Sequence, residues 1–159
     1  MRKFVFFVSS LVFFSVALAQ YGSWNFVKSS DSITDKDKSY IINTSGTGIY
    51  DNKSIILRCD GLKNREIYVN FDEFLDNEEI PVVYRFDKAK PVLAKWTNST
   101  DGTAAFMPEK LIKAFVKASK SSKTLTLRAT DFRGTSYTVQ FQLSGISSAL
   151  QKLACFKGY

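Results

Sequence analysis

The sequence predicts a mainly β fold: β-sandwich-like antiparallel sheets, one amphipathic helix, a short C-terminal helix and one disulfide. Three observations carry this. Short segments with apolar and polar residues in alternation recur between turn residues, as at Tyr137, Val139, Phe141 and Leu143. Only one strong helical pattern intervenes, after Pro108. The cysteines number two, Cys59 and Cys155, far apart in the chain.

The chain opens with basic Arg2 and Lys3, an apolar run from Phe4 to Leu18, and the small-x-small pattern Ala17-Leu18-Ala19. Residues 1–19 therefore read as a secretory signal peptide, and the run, at roughly 15 residues, is shorter than the ~20 a membrane span needs. Cleavage after Ala19 leaves 20–159 as a single extracytoplasmic domain, periplasmic, or secreted where the source has no outer membrane. Loss of Arg2 and Lys3 lowers the net charge of +7 to about +5. That balance favours anionic partners such as envelope components, and a nucleic acid is not expected outside the cell.

Strands are expected at 24–27 and 40–42, on either side of a charged stretch at 31–38. A hairpin follows at 55–59 and 66–71, turning near Asp60-Gly61, with Leu57 and Cys59 on one face and Arg58 on the other. Further strands fall at 82–86, 93–96 and 103–107, with Asn98-Ser99-Thr100-Asp101-Gly102 as a turn. Pro108 then opens a helix to about Lys120, with Glu109 near its positive end. Leu111, Phe115 and Ala118 lie on one side of its wheel; Lys110, Lys113, Lys117 and Lys120 lie on the other, as a solvated face or a weak contact for an anionic surface. A last hairpin at 125–129 and 137–143 turns around Asp131 to Gly134. Ser144 is placed to cap a short helix with Ile146, Leu150 and Leu153 as its stripe, ending before Cys155.

In an oxidising compartment the even cysteine count reads as a Cys59–Cys155 disulfide, the alternative being two buried thiols. The chain has no histidine, which removes the commonest general base, the commonest metal ligand and every Ser-His or Cys-His nucleophile. The two cysteines fall short of a structural zinc site, and no cofactor or metal is expected. Gly46-Thr47-Gly48 reads as a turn rather than a phosphate loop. Carboxylates at Asp72, Glu73, Asp76, Glu78 and Glu79 read as a solvated or ion-paired face, with acid–base catalysis the sharper alternative. Sequons begin at Asn43, Asn52 and Asn98.

One constellation remains as a candidate binding site: Arg85, Asp87, Trp96, Ser99 and Asp101. Alternation places Arg85 and Asp87 on one face of their strand, where an Arg–carboxylate pair can orient a ligand beside the indole. The same residues also fit a plainer arrangement, a surface ion pair beside a core Trp and a turn stapled by Ser99 and Asp101.

The succession Trp24, Leu57-Arg58-Cys59, Ile67-Tyr68-Val69, Tyr84-Arg85-Phe86-Asp87, Trp96 with Ser99, Phe106, Leu125 to Arg128, Phe141 with Leu143-Ser144-Gly145, and Cys155 resembles the VasI/TagO proteins. The resemblance implies an extracytoplasmic accessory protein of bacterial type VI secretion and carries no catalytic residues with it. The expected function is therefore non-enzymatic binding of a protein partner or an envelope component. The alternative is an inhibitor of an extracytoplasmic hydrolase, which charged, protruding loops would favour.

Overall fold

Where apolar and polar residues alternate, a strand buries one face and wets the other, and this chain repeats that pattern until it has built one long ladder. The computed structural model describes residues 20–21, 23–45, 53–75 and 78–159. The signal-peptide reading of 1–19, the turn at Gly46 to Gly48, the Asn52 sequon and Asp76 lie outside the described residues. The strands are β1 (Gln20–Tyr21), β2 (Trp24–Val27), β3 (Tyr40–Thr44), β4 (Ser54–Asp60), β5 (Asn64–Asn70), β6 (Glu79–Phe86), β7 (Val92–Asn98), β8 (Ala104–Phe106), β9 (Thr124–Thr130) and β10 (Ser136–Gln142). Helix α1 (Glu109–Lys120) joins β8 to β9, and α2 (Ile146–Leu150) follows β10.

The sandwich takes the form of a single ten-stranded antiparallel sheet, ordered β1-β2-β3-β4-β5-β8-β7-β6-β9-β10. It folds over one core. Trp24, Ile41 and Leu57 from the first half cluster with Val82, Leu127 and Phe141 from the second. The two ends of the ladder come near each other: the Asn43 side-chain amide donates to the Gln142 carbonyl, and the Ser23 amide donates to the Ser144 carbonyl. Asn43 is thereby buried, so its sequon is not an accessible acceptor.

Helix α1 begins after Pro108 as the sequence predicts, but its buried face is Ile112, Phe115, Val116 and Ser119. Leu111 and Ala118 sit at the margin of that face, half-buried. The Phe115 ring meets Tyr84 and Phe86 at centroid distances of 5.6 and 5.1 Å. Lys110, Lys113, Lys117 and Lys120 are exposed, and the Lys120 ammonium donates to the Tyr159 carbonyl. Ser144 does not cap α2. Gly145 occupies the position before the helix at φ +84°, one residue beyond Ser144, whose hydroxyl instead bonds that of Ser23 at 3.0 Å.

Cys59 on β4 and Cys155 on a 3₁₀ turn (Ala154–Phe156) are bridged, with Cα atoms 5.7 Å apart. Both are buried, and the Cys155 amide donates to Cys59 Sγ. The bridge ties the C-terminus to the middle of the sheet. Replacing both cysteines with serine is expected to lower unfolding free energy by up to about 4–5 kcal/mol, since the loop it closes spans 96 residues; urea unfolding measures the loss. Phe115→Ala is expected to cost roughly 3–5 kcal/mol in the same measurement, and a loss below ~1 kcal/mol would mean that α1 is not docked through this ring.

Candidate functional site

The five residues singled out in sequence do not form one surface, and the reason in each case is local. Strand β6 ends at Phe86; Asp87 adopts φ +48° and leaves the face that Arg85 occupies. Its carboxylate accepts the backbone N–H groups of Lys123 and Thr124, at 3.0 and 2.8 Å, and the Thr124 hydroxyl. Asp87 therefore fastens its turn to the start of β9 and forms no pair with Arg85. The Thr124 N–H, foremost, holds its carboxyl below the usual range.

Trp96 is fully buried beside Tyr84, at 6.1 Å between ring centroids. It is a core residue. Ser99 and Asp101 build the turn before β8: the Ser99 hydroxyl donates to Asp101 Oδ1 and accepts the Ala104 N–H at 2.9 Å. Asp101 also accepts the Thr103 N–H and hydroxyl, and the Ser99 hydroxyl is the first cause of its lowered pKa. Arg85 alone lies on an open face, exposed on the outer side of β6 opposite Thr126. Among the acidic residues set aside in sequence, Glu79 pairs with Lys95 at 2.7 Å, and no group of three His, Cys, Asp or Glu among the described residues is placed to hold a metal.

A different cluster stands on the outer face of the first half of the sheet. Ile42 pairs with Ile56, Ile56 with Tyr68, and Tyr68 with Phe106, so one cross-strand row crosses β3, β4, β5 and β8. In the next row Tyr40 faces Arg58, which faces Glu66. Tyr68 and Phe106 stack at 4.6 Å. The Arg58 guanidinium sits over both rings, 5.2 and 5.8 Å from their centroids, while its Nε donates to Glu66 at 2.5 Å. Such cation–π and charge-assisted contacts fix the direction of a long side chain. Burial among these neighbours pushes the Tyr68 phenol up, so it stays neutral.

Tyr40, Ile42, Ile56, Arg58, Tyr68 and Phe106 line a shallow hollow of about 370 Å³, with Ser99 and Asp101 on its wall. Two of the five predicted residues thus border this surface, through a turn rather than through a strand. Sequence reasoning passed over the row because Ile55-Ile56-Leu57 reads as a continuous apolar run. The usable signal was that Ile42, Ile56, Tyr68 and Phe106 fall on out-facing positions where polar residues are the rule.

The fold is similar to that in the crystal structure of invasion associated protein B from Bartonella henselae. The TM-score is 0.56 at 16% identity, over 89% of this chain and 98% of that one. At that identity the likeness is one of fold alone. No family model matches the chain, and no curated protein matches it. Among the described residues no helix is long and apolar enough to cross a membrane.

The turn aspartates generate a pH dependence. Asp131 behaves as Asp87 and Asp101 do: burial pushes its carboxyl up, but the Thr135 and Arg133 N–H groups and the Tyr137 hydroxyl outweigh this and lower it. All three therefore have folded-state values below their unfolded ones. The stability they contribute is fully present above about pH 4 and is lost as pH falls through the lowered values. Urea midpoints are expected to be flat with respect to these groups from pH 7 to 5 and to fall below about pH 4. Asp87→Asn should shrink that fall; an unchanged acid limb would remove Asp87 from the account.

Proposed function

We propose that this chain is a non-enzymatic extracytoplasmic binding protein whose contact surface for a protein partner is the outer face of β3, β4, β5 and β8. The observation that carries this reading is the Ile42–Ile56–Tyr68–Phe106 row with Arg58 laid over its aromatic end. Tyr and Arg anchors held rigid by a sheet are the residues on which interfaces concentrate their energy. The absence of histidine from the sequence supports a binding role over catalysis, as does the engagement of Asp87, Asp101 and Asp131 by backbone N–H groups. The disulfide supports an oxidising compartment. An accessory role in type VI secretion is the finer form of the proposal and rests on the sequence resemblance to VasI/TagO proteins.

The hydrolase-inhibitor reading has one observation in its favour. The loop after β2 is stapled by Asp31, which accepts the N–H groups of Ile33 and Thr34, at 3.1 and 2.8 Å, and the Thr34 hydroxyl. It presents Ile33 almost fully exposed between Ser32 and Thr34, with Asp31 and Asp35 two positions to either side. A rigid loop with an apolar tip is suited to entering a cleft.

Photo-crosslinking from position 42 in the producing cell's envelope is expected to give one protein adduct, lost in the Tyr68→Ala and Arg58→Gln variants while circular dichroism shows both still folded at the temperature of the assay. An adduct from position 33 with none from position 42 would favour the inhibitor reading instead. Unaltered type VI secretion on deletion of the gene would remove the pathway assignment and leave the contact surface standing.

A further inference from the structure

Of the two edges of the sheet, β1 is two residues long and β10 is seven. Exposed edges are templates for further strands, and proteins guard them with brevity, proline, charge or bulges. The β10 sequence, Ser136-Tyr137-Thr138-Val139-Gln140-Phe141-Gln142, contains no proline and no charge, and it pairs with β9 without a bulge.

The register fixes which backbone groups are open. Asp131 N–H donates to the Thr135 carbonyl and Leu143 N–H to the Lys123 carbonyl, so odd-numbered residues of β10 turn their backbone groups to β9. The even-numbered ones turn outward, as the contact of Gln142 with Asn43 bears out. Among the described residues nothing pairs with the outward backbone groups of Ser136, Thr138 and Gln140.

The outer face beside this edge is basic. Arg128 pairs across to Thr138, and its Nε donates to the Thr138 hydroxyl at 3.1 Å, which carries the guanidinium over β10 toward the open side. Arg85 lies further in, and both line a groove of about 240 Å³ with Val83, Thr126 and Thr138. Neither arginine has an ion-pair partner among the described residues.

We infer that β10 is a strand-addition site: an extended segment of another protein pairs with the backbone of Thr138 and Gln140, with an acidic side chain on its outer face meeting Arg128. Main-chain hydrogen bonds supply the docking and the alternating side chains the selectivity. Charge decides the occupant. A second copy pairing symmetrically through β10 would bring its own Arg128 onto the same face, whereas a carboxylate there meets a guanidinium with no acidic partner among the described residues.

The test uses a capped, fluorescently labelled peptide of alternating Val and Glu, measured by anisotropy at low salt. Three comparison peptides have Lys in place of Glu, or N-methyl groups on alternate amides in one register or in the other. The Glu peptide is expected to bind, the Lys peptide roughly tenfold or more weakly, and the N-methylated peptides of one of the two registers not at all. Arg128→Glu should reverse the preference for Glu over Lys, and Thr138→Pro, which removes an outward N–H, should abolish binding. Tyr68→Ala should leave binding intact, which separates this edge from the face proposed above. Absence of binding at millimolar peptide, indifference to N-methylation in both registers, or equal binding of the Glu and Lys peptides would overturn the inference. So would a concentration-dependent dimer lost in Thr138→Pro, which would make a second copy the occupant.

Discussion

In an antiparallel ladder side chains change face with every residue, and here all ten strands belong to one ladder, so a single phase has to hold from β1 to β10. A slip of one residue between any two strands would turn the core residues of everything beyond it to solvent. The phase is held by pairs with a large inner residue on both sides, such as Ile41 with Leu57, Leu57 with Ile67, Tyr84 with Leu127 and Leu127 with Val139. Because the inner face is fixed in this way, the outer face is fixed with it. The Ile42–Ile56–Tyr68–Phe106 row and the Arg128–Thr138 pair are straight because the core rows beside them are straight.

A sheet that folds over one core still has to be closed at its ends, and here small polar contacts and one covalent bond close it. Asn43 reaches the last residue of β10, Ser23 reaches Ser144, and the Cys59–Cys155 bridge draws the final turn onto β4. The turns are fixed by a repeated device in which a carboxylate accepts nearby N–H groups: Asp31, Asp87, Asp101 and Asp131 all do this. Ionised acceptors of this kind are stronger than neutral ones and hold loops that bury little apolar surface. These four aspartates are therefore committed to architecture.

The strands were legible because period-two alternation is a local property, and each expected strand matches an observed one to within a few residues. Helix α1 was legible from Pro108 and its lysines, but its apolar arc was misjudged. Ile112 and Val116 were passed over for Leu111 and Ala118, and packing against β5, Tyr84 and Phe86 chooses among neighbouring wheel positions. The site was the least legible part. Alternation alone carries Asp87 onto the face of Arg85 only if the strand continues, and a backbone at positive φ ends it one residue too soon. Trp96 reads equally as an anchor or a core residue until the fold shows which side of β7 faces inward. Rows that join four strands with intervening loops leave no sequence spacing to find.

The two outer faces differ in a way that bears on what each can hold. On the first half, Arg58 is committed to Glu66 and to two rings, so its charge is largely answered within the protein. A partner there meets shape and apolar area, with Ile56 already buried by its neighbours before anything docks. On the second half, Arg85 and Arg128 have no acidic counterpart among the described residues, and the polar Thr126, Thr138 and Gln140 keep the surface wet. A partner there meets unanswered charge and open backbone. Salt screens the second kind of contact within about a Debye length and leaves the first nearly untouched. Binding at the two faces should therefore separate by ionic strength even before any residue is changed: rising salt weakens attachment along β10 and leaves attachment over Tyr68 and Phe106 in place.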